Sequence, residues 1–165
     1  MTGPSPVPSF RIGTEFLREH WQGHRRLTRR MIEAFPPDAL FAYSLGGMRP
    51  FGEMAFELVS MADVGVQGIA TGDWNQLAHH GPGPRPATHD AILALWDATT
   101  ARIDALWPTI PPERFEAVDK AFGQWEGVIY GLLFYWIDNE IHHRGQGYVY
   151  LRALGIEPPA FYDRG

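Results

Sequence analysis

The chain has 165 residues, no cysteine and a formal net charge of −5. That length suits one domain, residues 1–165, able to bury roughly 70% of the surface its unfolded form exposes. The missing cysteines exclude disulfides, thiolate zinc sites and a cysteine nucleophile. The acidic balance argues against nucleic acid as a main partner. No stretch reaches the ~20 apolar residues of a membrane span, and none suits a signal peptide, so a cytoplasmic protein with no membrane partner is expected.

Residues 1–10 are proline-rich with little to bury and read as a flexible tail. From about Thr14 to Ala34, Phe16, Leu17, Trp21, Leu27 and Met31 recur at helical spacing, and Pro36 and Pro37 stop that helix. The arginines Arg25, Arg26, Arg29 and Arg30 read as an exposed arc of it, and His20 and His24 as an incidental surface pair at i,i+4 spacing. A loop from Tyr43 precedes a second helix, Pro50 to Gly68, with Phe51, Met54, Leu58, Met61 and Gly65 on one side. Gly72 to Ala87 is irregular: the run from Gly81 to Pro86 suits neither helix nor sheet, and His79 and His80 read as solvated loop residues. A connection of that length lets the second and third helices lie parallel or cross the bundle. Thr88 caps a third helix ending near Trp107, with Ile92, Leu95, Trp96, Ile103 and Leu106 inward. Pro108, Pro111 and Pro112 break the chain before a fourth helix, Gly123 to Leu154, closed by Gly155. Strand signals are nearly absent, so the fold class is all-α, a four-helix bundle with a long loop between helices 2 and 3.

The fourth helix carries the chemistry. At about 100° per residue, Trp125, Ile129, Leu132, Trp136, Gly147, Tyr150 and Leu154 share one apolar stripe. His143 lands in the middle of it, Asn139 and Glu140 flank it, and His142 points roughly 100° away. A buried imidazole needs a partner, because leaving it unpaired costs roughly 1–3 kcal/mol. Side chains at i and i+4, here Asn139 and His143, can reach a single ion. Spacing alone leaves two readings open, a core hydrogen bond or a metal or catalytic site.

The run Asn139-Glu140-Ile141-His142-His143-Arg144-Gly145-Gln146, followed by Tyr150-Leu151-Arg152 and later Gly155 with Pro158-Pro159, resembles the C-terminal signature of the DinB/YfiT-like family. The resemblance implies a four-helix bundle of unusual connectivity, a homodimer, and a divalent metal held by three histidines, two from the fourth helix and one from the second. His143 matches the last of these. Asn139 stands where the first histidine of the helix-four pair is expected, and Glu57 is the best match to the helix-two ligand. The implied metal set is therefore Glu57, Asn139 and His143. The ion would be zinc, nickel or manganese, and the oxygen donors shift preference toward harder ions such as manganese or magnesium. Arg144 and Gln146 take structural roles near the site. The implied function is a metal-dependent enzyme, a thiol-dependent S-transferase or a hydrolase, acting on a small-molecule substrate with a low-molecular-weight thiol. The alternative is a catalytically degenerate member that binds a small ligand or serves as a dimeric interaction protein.

Overall fold

The computed structural model describes residues 12–74 and 85–165. The expected N-terminal tail (residues 1–10), His79, His80 and Gly81 to Pro84 lie outside the described residues. Four helices form the body: α1 (Thr14–Ala34), α2 (Phe51–Thr71), α3 (His89–Leu106) and α4 (Ile129–Ala153). Among the described residues no helix is long and apolar enough to cross a membrane.

Their ends follow from local chemistry. Phe35 turns extended just ahead of Pro36, the residue pair that cannot continue a helix. α2 stops at Gly72 in the left-handed region (φ 76°), and its N–H bonds the Gly68 carbonyl. The Thr88 hydroxyl accepts from the Ala91 N–H and caps α3, as its position suggested.

Two apolar clusters stack along the bundle axis. One gathers Leu17, Trp21, Val66, Ile69, Ile103, Ile129, Leu133 and Trp136. The other gathers Met31, Ile32, Phe51, Met54, Leu58, Ile92, Trp96, Tyr150 and Leu151. The first holds the starts of α1 and α4 and the ends of α2 and α3, whereas the second holds the opposite ends. So α1 and α4 run one way, α2 and α3 the other. The expectation that the long connection permits parallel successive helices is met by α2 and α3. Between the two clusters lies a polar middle layer that includes His24, Arg25, Thr28, Glu140, His143 and Arg144, all buried.

The described residues depart from the all-helical expectation at one place. Val118–Ala121 (β1) and Trp125–Val128 (β2) form an antiparallel hairpin, so α4 starts at Ile129 and not at Gly123. Phe122 and Gly123 turn the hairpin with φ of 53° and 68°, a conformation glycine accepts freely and phenylalanine rarely. Trp125 shares the helical phase of Ile129 and Leu132 by coincidence. It is an exposed strand residue at 59% of its full accessibility, not a core one. Phe16, expected inward, is also exposed.

Two readings of α1 are corrected as well. Arg25 is buried, stacked over the Trp96 ring at 4.3 Å, while its Nε donates to Thr100 Oγ1 and Nη2 to the Trp96 carbonyl. His24 is buried, although its ring still meets that of His20 edge to face at 4.8 Å. Both lie about one turn after Trp21 and two before Met31 on the inward face, and paired polar groups carry them into the core.

Candidate functional site

Glycines at two levels allow α2 and α4 to approach closely. A Cβ on Gly65 would meet the Trp136 ring at 2.6 Å, and one on Gly147 would meet Phe51 at 2.6 Å. The antiparallel contact thus closes at both ends, and Glu57 of α2 is left facing Asn139 and His143 of α4 midway between. His143 Nε2 lies 3.3 Å from Glu57 Oε1, and Asn139 Nδ2 donates to the same oxygen at 3.5 Å and to Met61 Sδ at 3.3 Å. The three residues singled out from the sequence therefore meet in one place. His143 is buried and His142 exposed, as their phases required.

Two further residues complete its geometry, of which the sequence had pointed only to Gln146. Arg49, just before α2, pairs with Glu57 Oε2 at 2.7 Å. Burial would raise the Glu57 carboxyl, but the hydrogen bond and charge of Arg49, joined by His143 and Asn139, bring it below the ordinary carboxylate range. Gln146, expected near the site without an assigned contact, sits one turn after His143. Its Oε1 is 2.8 Å from His143 Nδ1, and its amide nitrogen turns toward Met48 Sδ.

The Gln146 amide and the ring proton are linked. With Oε1 toward the ring Nδ1 is the donor, whereas the amide turned by half would donate to Nδ1 and leave Nε2–H for Glu57. In the first arrangement the neutral ring carries a lone pair on Nε2, and it faces a carboxylate oxygen that also carries lone pairs. Two such atoms at 3.3 Å repel unless something positive lies between them. Either a proton on Nε2 or a metal ion meets that need.

The donor set fits an ion. Nitrogen and oxygen ligands at ~2.0–2.2 Å from a tetrahedral centre are roughly 3.4 Å apart, close to the separation found here. Rotating the Asn139 amide by half a turn would offer Oδ1 as a third donor. The histidine with its second nitrogen fixed by an outer hydrogen bond is the arrangement metal ligands commonly show. Two features weaken the fit for zinc: Arg49 already holds one carboxylate oxygen, and a single imidazole remains. Among the described residues no group of three or more His, Cys, Asp or Glu side chains is gathered to hold a metal.

Arg144, expected near the site, points the other way. Its Nη2 donates to His24 Nδ1 at 2.9 Å and its Nη1 to Thr28 Oγ1 at 3.0 Å. Thr28 in turn donates to Glu140 Oε1 at 2.5 Å. Burial drives the His24 imidazole down to about 3, helped by the Arg144 charge, so the ring is neutral and accepts at Nδ1. Glu140 is pushed up by burial, against the pull of Arg25, Thr28 and Arg144. The helical phase that put Glu140 inward was right, but it serves α1, not α2.

Beside Glu57 a pocket of about 740 Å³ runs under the hairpin, walled by Met61, Phe122, Trp125, Tyr135 and Trp136. Of the aromatics read as core or dimer surface, Trp96 and Trp136 are buried while Tyr130 and Tyr135 are exposed.

A bundle whose outer helices run against the inner pair, with a histidine and a carboxylate meeting across α2 and α4, defines a class of helical protein with a small polar centre. Residues 13–165 match the DinB family, and the chain belongs to it. Its fold is similar to that of a DinB-like protein from Bacillus subtilis, with a TM-score of 0.74 at 18% identity, covering 89% of this chain and 97% of that one. A DinB-like protein from Bacillus cereus is similar too, with a TM-score of 0.71 at 21% identity, covering 90% of this chain and 97% of that one. At these identities the likeness is one of fold. No curated protein matches the chain.

Proposed function

We propose that this DinB-family protein holds a divalent ion between Glu57 Oε1 and His143 Nε2, with the Asn139 amide oxygen as third donor, and acts on a small-molecule substrate. The reaction would be a thiol-dependent S-transfer or a hydrolysis. The observation that carries the reading is the His143 ring held between Gln146 Oε1 at 2.8 Å and Glu57 Oε1 at 3.3 Å, two acceptors that one ring proton cannot both serve. When bound, the ion supplies a lowered pKa for water or a low-molecular-weight thiol and polarises the substrate. Gln146 holds the imidazole in the tautomer a ligand needs. Arg49 keeps Glu57 ionised and directs one oxygen outward, leaving Oε1 for coordination. Oxygen-rich donors favour manganese over zinc or nickel.

The test is calorimetric titration of chelator-treated protein with manganese, zinc and nickel. One ion per chain is expected, with binding at least 100-fold weaker in His143→Ala and Glu57→Gln, both still folded by circular dichroism. If no ion binds, or His143→Ala binds as the wild type does, the metal reading is wrong. Metal-loaded protein should then conjugate a low-molecular-weight thiol to an electrophile, and chelation should stop it.

The Arg49–Glu57 ion pair favours a second reading, in which a proton takes the place between His143 and Glu57. The protein is then a degenerate member that binds a small ligand without a metal. Two copies of the chain forming a dimer is compatible with both, and sedimentation measures it.

A further inference from the structure

The pocket under the hairpin has a chemistry of its own. Its volume of about 740 Å³ falls inside the range of small-molecule sites, roughly 300–1,000 Å³. Glu57 lines it together with Trp125 and Tyr135, both of which are more than half exposed. Phe122 meets Trp125 at 5.9 Å and Trp136 at 6.3 Å, both edge to face, so the aromatic wall is braced ring against ring. Phe122 reaches that position with a positive φ, at a cost of roughly 1–3 kcal/mol that cavities and clamps commonly carry.

Among the described residues the charged side chains lining the pocket are Glu57 and Glu126, and none is a lysine, arginine or histidine; Arg49 pairs with Glu57 from outside the lining, and Lys120 stands opposite Glu126 in the hairpin. The hydroxyl of Ser60 also lines it but donates to the Phe56 carbonyl at 2.8 Å. An anion entering would find no cation among the described lining residues to pair with, only carboxylates and the negative faces of aromatic rings. Gly131 adds a second, independent sign. It sits in the first turn of α4, where glycine costs up to ~1 kcal/mol relative to alanine. A Cβ there would meet nothing within 4 Å, so packing does not demand the glycine. Its missing side chain is instead part of the pocket's volume.

We infer that this pocket takes the flat aromatic body of a molecule bearing no negative charge and presents its other end to Glu57. Calling that molecule a substrate rests on the reading of Glu57 and His143 as the reacting centre; the binding itself does not. The rings supply stacking faces, a described lining without a cation gives an anion nothing to pair with, and Gly131 leaves room for the body.

Two probes that share a ring frame separate these statements. Metal-free protein is titrated by fluorescence with neutral N-phenyl-1-naphthylamine and with 8-anilino-1-naphthalenesulfonate, which adds a sulfonate. The neutral probe should bind one per chain and at least tenfold tighter than the anionic one. Trp125→Ala should weaken it tenfold or more. Gly131→Leu should do the same by filling the pocket, and with a better helix former in open space it should keep or raise the melting temperature. Equal affinity for the two probes overturns the inference, as does binding that neither substitution changes. Uptake that rises as the protein is diluted would give this face to a second copy of the chain, and also overturns it. Because no metal is present, loss of the ion site with probe binding intact removes only the metal reading, and the reverse outcome removes only the pocket.

Discussion

Two polar clusters flank α4 in the middle layer of the bundle, and they use buried polar groups to opposite effect. Toward α1, Glu140, Arg144, Thr28 and His24 form a chain of hydrogen bonds 2.5 to 3.0 Å long. Glu140 and Arg144 also lie within ion-pair reach at 3.8 Å. Toward α2, the His143 ring sits between the Gln146 and Glu57 oxygens at 2.8 and 3.3 Å, two acceptors for the single proton of a neutral ring. Buried polar groups are normally satisfied, and the first cluster obeys that rule. The second meets it only with a further proton on the ring or a turned Gln146 amide, and it stands beside an open pocket where a ligand can take that place. The contrast separates the polar residues that hold the bundle together from those left ready to bind.

The sharpest way to break the comparison is to delete one member from each cluster. Glu140→Ala leaves the Arg144 and Arg25 charges buried without their carboxylate, a loss of roughly 3–5 kcal/mol. Glu140→Gln should cost less, because the amide oxygen still accepts from Thr28. Chemical denaturation measures both, and a loss below about 1 kcal/mol for the alanine variant would put Glu140 outside the structural cluster. In the other cluster the effect belongs on binding. Gln146→Leu frees His143 Nδ1 from its acceptor, and outer partners of this kind are worth roughly 10–100-fold in metal affinity. Stability should change by only about 1 kcal/mol, the worth of one hydrogen bond. Unchanged affinity for the ion would show that the tautomer is fixed by something other than Gln146.

The helices were legible because apolar spacing, prolines and caps agree, and His143 stood out as a polar residue within an apolar stripe. Glu57 came from the family resemblance and not from its own helix, where it belongs to a series of polar residues that could have been a wet face. Arg49 was not legible, since it lies on a loop without periodicity and reaches the site through the turn leading into Pro50. The hairpin was hidden by Trp125, whose helical phase matched α4 although Gly123 and Gly127 offered the backbone another path. For α1 the signal was present and misjudged: positions 24, 25 and 28 lie between Trp21 and Met31 on the inward phase. Charge argued for solvent, and the pairing of His24 with Arg144, and of Arg25 with Trp96 and Thr100, is a tertiary fact that no local pattern carries.

His24 gives the finest measure of the satisfied cluster. Burial, then the neighbouring Arg144, lower its imidazole from the ordinary value near 6.5 to about 3. Between those values the unfolded chain binds a proton that the folded chain refuses, so the fold is fully stable above pH ~6.5 and loses stability as pH falls toward 3. The slope approaches but does not exceed about 1.4 kcal/mol per pH unit. From pH 7 to pH 6 the expected loss is under about 1 kcal/mol. Glu140, whose carboxyl is raised, works in the opposite sense as it takes up its proton in the fold. The contribution of His24 is therefore isolated by comparing wild type with His24→Gln, whose amide oxygen can still accept from Arg144 but does not titrate. The variant's stability should fall less between pH 7 and pH 6, read from denaturation midpoints at both values. If both proteins lose the same amount, His24 is charged in the fold and the Arg144 hydrogen bond must be drawn another way. The division between a closed cluster and an open one would then rest on Glu140 and Thr28 alone.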